Sequence, residues 1–195
     1  MTTPTRPGIP TAYAGVNFRS RLEAKWAAFF DLVGWEWTYE PLDAGGYIPD
    51  FLIHGERPMF IEVGPCVTAD DYADKAAKPD ASAADLRHDV LVVGVSPVAP
   101  MPNSHAVWQR RALTAGMLGE YDGESLTWGS GVWAREASMS VIHDSMSYAY
   151  RPQGDGDGGS PDVNVSRSWI DALWAKAGNE TQWRPGLRRI GEWTR

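Results

Sequence analysis

The sequence predicts an α/β architecture, a central mixed sheet flanked by helices, on three observations. Segments with helical apolar spacing alternate with short segments of strand character, the pattern of a sheet covered by helices. The run D-V-L-V-V-G-V, residues 89–95, is apolar throughout after its first residue, as a strand buried on both faces must be. At 195 residues the chain is long enough for one domain with a sizeable core and no covalent staples.

Residues 1–16, rich in Pro, Gly and Thr, are expected to be extended or loosely held. Residues 17–151 are expected to form the α/β core. From Phe18, F-R-S-R-L-E-A-K-W-A-A-F-F-D-L-V puts Phe18, Leu22, Trp26, Phe29 and Val33 at helical spacing, and Gly34 stops the helix. W-E-W-T-Y-E, residues 35–40, alternates and is aromatic and β-branched, a strand signature. Y-I-P-D-F-L-I-H-G-E-R-P-M-F-I-E-V-G-P, residues 47–65, reads as two strands joined by a turn, with Asp50 on the first and Glu62 on the second. Residues 69–87 read as a second helix interrupted near Pro79, residues 104–118 as a helix, and residues 125–150 as hairpins. P-Q-G-D-G-D-G-G-S-P-D, residues 152–162, is a linker. It is not a calcium loop, because Gly159 stands where a third acid or Asn is needed and no closing Glu comes after it. Residues 163–195 supply a last helix, with Trp169, Leu173, Trp174 and Ala177 on one face, and a basic tail containing Trp.

Composition excludes several classes. No apolar run approaches the roughly 18 residues of a membrane span, and the N-terminus has no hydrophobic signal core, so a cytoplasmic protein without membrane contact is expected. Cys66 is the single cysteine, which rules out an internal disulfide and a cysteine-based zinc ribbon. Net charge is -7, an argument against a non-specific nucleic-acid coat. Residues 40–89 hold 11 acids against 4 bases, an excess as large as that of the whole chain, while residues 166–195 hold 6 bases against 3 acids. This asymmetry suits an acidic metal-binding centre beside a basic arm, but on charge alone the plainer reading, a solvated acidic helix and a charged tail, is preferred.

The chemistry concentrates in M-F-I-E-V-G. Alternate side chains of a strand point to opposite faces, so Met59, Ile61 and Val63 share one face and Phe60, Glu62 and Gly64 the other. A carboxylate in such company needs a cation, a strong donor or a metal. Asp50, on the neighbouring strand, offers a second oxygen ligand of the kind magnesium takes. Such an ion polarises a phosphoryl oxygen and acidifies the attacking water. A lysine two residues after Glu62 would stabilise the emerging hydroxide, but that position is Gly64.

Ser20-Arg21-Leu22-Glu23, Tyr39-Glu40-Pro41, Pro49-Asp50-Phe51 and Glu62-Val63 together resemble the PD-(D/E)XK nuclease superfamily. The likeness is greatest to phage Holliday-junction resolvases and transposon end-cleaving endonucleases, and it covers roughly residues 18–95. Leu173–Trp183 also looks like a segment of phage and actinobacterial proteins of this sort. The resemblance implies a restriction-endonuclease-like core and a metal-dependent DNA nuclease of phage or phage-related origin. Asp50 and Glu62 would bind magnesium or manganese with the carbonyl of Val63, and Glu23 would be an additional acid. DNA is the implied partner, and the reading admits a homodimer. Gly64 departs from the pattern. Either the lysine has migrated, Lys75 on the next helix being the best substitute, or the site has decayed and the fold acts as a DNA-binding or inhibitory factor.

Plainer readings stand beside these. Ser20-x-x-Glu23 is a capping box, which places Glu23 at the helix start for structural reasons. Pro49-Asp50 could be a turn entering a strand, and Glu40 is read as a strand end. Asp71 can pair with Lys75 at i,i+4. His54, His88, His105 and His143 lack metal-ligand spacing. Most of the ten Trp are expected in packing. Arg184, Arg188 and Arg189, beside Trp183 and Trp193, form either a phosphate-contacting arm or a charged tail.

Overall fold

The structure, a computed structural model, describes residues 8–55, 57–101, 112–135, 139–143, 149–150 and 164–182. The chain opens with β1 (Thr11–Tyr13) and β2 (Val16–Phe18), a two-stranded hairpin. Its turn residues Ala14 and Gly15 both have positive φ, the twist that a two-residue hairpin demands. Part of the segment expected to be loose is therefore ordered, and Tyr13 and Val16 pack on the main core.

α1 (Arg21–Val33) starts one turn later than the apolar spacing implied, because Phe18 closes β2 and is buried there. Ser20 caps it, accepting the Glu23 N–H at 3.1 Å. Gly34 ends it in the left-handed conformation, returning its N–H to Phe30 and Asp31 carbonyls. The main sheet begins with β3 (Trp37–Tyr39), β4 (Phe51–Ile53) and β5 (Met59–Val63), each antiparallel to the last. A crossover through α2 (Ala69–Ala81) and α3 (Ala83–Leu86) then lays β6 (Asp89–Val93) parallel to β5. β7 (Thr114–Tyr121), β8 (Leu126–Arg135), β9 (Met139–His143) and β10 (Ala149–Tyr150) extend it as an antiparallel meander, giving a mixed sheet of eight strands among the described residues. α4 (Arg167–Glu180) completes the described chain.

Strand alternation sorts the layers. Phe51, Ile53, Met59, Ile61, Val63, Leu91 and Val93 face α1 and α4, while Phe60, Val90 and Val92 face α2 and α3. The result is a sheet between two helical layers. β6 lies inside that sheet and is buried along its whole length, as its apolar run requires. On α4, Trp174 packs against Trp26 and Phe29, and Ile170 and Ala177 are fully buried. Trp26, Trp35 and Trp133, all fully buried, each donate their indole N–H to a main-chain carbonyl, so none leaves a donor unmade.

Two expectations need correction. The helix read over residues 104–118 is a strand from Thr114 onward, and Ala112 and Leu113 before it are not helical; residues 104–111 lie outside the described residues. Gly116 and Gly119 weaken a helix there, and in β7 they admit close approach of the Val92 carbonyl and the Trp128 ring. The helix break expected near Pro79 falls at Ser82, since α2 continues through Pro79 to Ala81. The linker 152–162 lies outside the described residues. No helix among the described residues is long and apolar enough to cross a membrane.

Candidate functional site

Phe51 of β4 pairs with Ile61 of β5, so one residue further along this antiparallel register Asp50 stands across from Glu62. Both belong to the face that carries α2, and both are buried, at 4% and 5% exposure. They sit in the floor of a cleft of about 620 Å³ whose walls include Arg19, Glu23, the Gly45-Gly46 turn, Tyr47, Lys75 and Lys78.

All four carboxylate oxygens of the pair have donors. Glu62 Oε2 accepts the Tyr47 hydroxyl at 2.5 Å, and Glu62 Oε1 lies 2.5 Å from Lys75 Nζ. Asp50 Oδ2 accepts the main-chain N–H of Val63 at 2.7 Å, and Asp50 Oδ1 accepts from Arg19 Nη2 at 2.6 Å. Burial, and then the negative charge of Glu62, push the Asp50 carboxyl up to about 7 against the pull of the Val63 N–H and Lys75. Burial and the Glu62 carboxylate likewise hold the Tyr47 hydroxyl well above its ordinary range.

Lys75 owes its direction to α2. Tyr72, Ala76 and Pro79 form the buried face of this helix, and Lys75 lies on the same side at helical spacing. Asp71, its expected i,i+4 partner, is committed elsewhere: it closes a capping box with Thr68, accepting the N–H groups of Val67 and Thr68. Lys75 therefore turns to Glu62 rather than along its own helix. Gly64 makes room for it. A Cβ at Gly64 would lie 3.1 Å from Lys75 Cγ and 2.8 Å from Cys66 Sγ, so the stem of Lys75 fills the volume that residue 64 leaves.

Glu23 lines the same cleft but is held by the start of α1. Its oxygens accept from Ser20 Oγ at 2.7 Å, Tyr39 Oη at 2.6 Å and the Arg19 N–H at 3.2 Å. Burial and this contact with Glu23 push the Tyr39 hydroxyl up to about 12. Glu40 also does more than end a strand: its carboxylate pairs with Arg19 Nε at 2.9 Å.

Against a divalent cation, the donor set fits in type. Two hard carboxylates stand side by side in a buried floor, with the Val63 backbone adjoining them, and a cation between them would offset the burial and the Glu62 repulsion that raise Asp50. No group of three or more His, Cys, Asp or Glu side chains among the described residues is arranged to hold a metal ion. The structure thus brings Asp50, Glu62, Val63, Lys75 and Glu23 to one cleft; Arg184, Arg188 and Arg189 lie outside the described residues. Sequence reasoning missed Tyr47 and Arg19. Tyr47 carried a signal, standing three residues before Asp50 in the same apolar strand entry. Arg19 carried none, since no spacing rule links it to acids about 20 and 30 positions on. Comparison with protein-family models, with curated proteins and with solved structures returns no match.

Proposed function

We propose that this protein is a metal-dependent deoxyribonuclease of the PD-(D/E)XK type, with a restriction-endonuclease-like core. The observation that carries the reading is the position of Lys75, which brings an ammonium group onto Glu62 from the direction that Gly64 leaves open. Asp50, Glu62 and the Val63 carbonyl would hold magnesium or manganese. A cation held there supplies a polarised phosphoryl oxygen and a more acidic attacking water. Lys75 places a positive charge beside the carboxylates, where it stabilises negative charge developing on the nucleophile. Tyr47 fixes the Glu62 rotamer through Oε2, and Val63 fixes that of Asp50 through Oδ2. DNA would lie over the cleft, with Arg184, Arg188 and Arg189 as further phosphate contacts.

One observation favours a second reading. Every oxygen of Asp50 and Glu62 already has a protein donor, so the buried pair is satisfied without a metal. A nuclease-fold protein without chemistry, acting by binding DNA or a protein, would keep this arrangement. Nicking of supercoiled plasmid separates the two. The nuclease reading expects magnesium- or manganese-dependent nicking that Asp50→Asn and Glu62→Gln abolish. Wild-type protein that nicks with neither metal leaves the binding reading standing.

A further inference from the structure

We propose that Arg19 is a built-in competitor for the cation at Asp50, displaced when a phosphodiester takes its guanidinium; this rests on the metal-site reading above. Arg19 precedes the cap of α1, and its side chain is more than half exposed, at 58%. Even so, it is spread over three acceptors. Nη2 reaches Asp50 Oδ1 at 2.6 Å, and Nε lies 2.9 Å from Glu40 Oε1 and 3.3 Å from Tyr39 Oη.

The two oxygens of Asp50 are engaged differently. Oδ2 is tied to the Val63 N–H inside the strand pair, so Oδ1 is where a cation would bind, and Oδ1 is where Arg19 sits. Guanidinium and metal ion therefore compete for the same atom. Lys75 is placed differently: its stem is wedged against Gly64 and its ammonium lies on Glu62, on the other strand.

Glu40 strengthens the clamp. It is held at φ 45°, a left-handed conformation uncommon for a residue with a Cβ, and its N–H donates to the Asp50 carbonyl at 2.9 Å. That backbone bond fixes the strained residue beside Asp50, and its carboxylate pairs with Arg19 Nε. Arg19 is thereby held in a cradle of two acids and a phenol at the rim of the cleft.

The guanidinium is also the right chemistry for the substrate. It is planar, permanently charged and able to grip two phosphate oxygens at once. A phosphodiester entering the cleft meets an exposed arginine that it can draw away from Asp50. Once drawn away, Asp50 Oδ1 is open to the cation. By linkage, phosphodiester and cation then raise each other's affinity by the same factor. The free protein binds its cation weakly, and the substrate tightens that binding.

The test measures manganese binding to the full chain, from loss of the free-ion electron paramagnetic resonance signal. It is run alone and with a short duplex oligonucleotide whose own manganese uptake is measured separately. Four proteins are compared: wild type, Arg19→Gln, Lys78→Gln as a second cleft cation, and Asp50→Asn. The expected result is that Arg19→Gln binds manganese about tenfold more tightly than wild type without DNA, while Lys78→Gln changes little. The oligonucleotide should tighten manganese binding by wild type but add little for Arg19→Gln. If Arg19→Gln binds manganese no better than wild type, or Lys78→Gln gains as much, Arg19 is not the competitor and the proposal is overturned. If Asp50→Asn binds manganese as well as wild type, the cation is not at Asp50. The metal-site reading then fails, and the proposal with it.

Discussion

Lys75 Nζ lies 2.5 Å from Glu62 Oε1, so an ammonium from α2 and a carboxylate from β5 meet across the floor of the cleft. The stem reaching it is packed beside Gly64, and the side chain is only 30% exposed. If this ammonium stabilises charge in the transition state, Lys75→Ala lowers the cleavage rate by roughly 10²-fold and leaves DNA affinity nearly unchanged. Single-turnover cleavage and fluorescence anisotropy on the same preparation measure the two. A variant that cuts at the wild-type rate would remove Lys75 from the chemistry.

Gly64 is a matter of space, not of backbone conformation. A Cβ there meets Cys66 Sγ at 2.8 Å and Lys75 Cγ at 3.1 Å. Gly64→Ala is expected to destabilise the fold by about 1–3 kcal/mol, the range for overpacking a filled site. Part of that is the Lys75 stem, so the loss should be smaller when Lys75→Ala is already present. Urea melts of the two single variants and the double variant give the coupling. Strict additivity would mean that residue 64 and Lys75 do not share the volume. The vacated space also suits Gly64→Lys in the Lys75→Ala background, though Cys66 must still move.

An element was legible in the sequence to the extent that its causes are local. β6 was legible because a buried central strand must be apolar on both faces, and Val90, Leu91, Val92 and Val93 are. α1 was legible through Ser20 and Gly34, whose capping chemistry lies within a turn of each end. β7 was not, because Thr114–Tyr121 mixes small and polar residues whose glycines make sense only against Val92 and Trp128. In the site, Asp50 and Glu62 could be placed together by counting along a hairpin, a two-strand argument. Lys75 could be proposed from helix order, but its release from Asp71 depended on Thr68 capping α2 in a box that sequence reading overlooked. Arg19 depended on three chain segments converging, and no local pattern encodes that.

At the other end of the sheet, a second buried pair makes a stability prediction. Asp89 and Glu120 extend the β6–β7 register beyond the Val90–Gly119 pair and are buried, at 3% and 7% exposure. Arg57 serves both, with Nε 2.9 Å from Asp89 Oδ2 and Nη1 3.5 Å from Glu120 Oε1. Asp89 Oδ1 also accepts the Tyr121 N–H at 2.8 Å. Removing the half-exposed arginine leaves two buried carboxylates without the cation they share. Arg57→Ala is expected to lose about 1–3 kcal/mol, below the scale for a fully buried pair because the arginine is half exposed. Denaturant melts at neutral pH check it, and a loss under about 1 kcal/mol would mean that water reaches the pair.

Asp50 gives the pH dependence, and its sign is fixed by the direction of its shift. Burial and Glu62 raise its carboxyl to about 7 in the folded protein, while the unfolded chain keeps an ordinary carboxyl near 3.8. Between these values the folded state holds the proton and the unfolded state does not, so stability falls as pH rises through that window. The contribution is fully present below about pH 4 and is lost as pH passes about 7. Asp50→Asn is close in shape to the protonated acid and cannot ionise. Its stability relative to wild type should therefore rise between about pH 4 and 7 and level off above that, measured by thermal melts in matched buffers at constant ionic strength. A divalent cation bound at Asp50 stabilises the charged form, so manganese at about pH 8 should raise the wild-type melting temperature and leave that of Asp50→Asn where it was. A wild-type and Asn pair whose difference does not move with pH would mean that Asp50 ionises normally. The burial and the Glu62 repulsion that make this floor receptive to a cation would then be offset by its present donors.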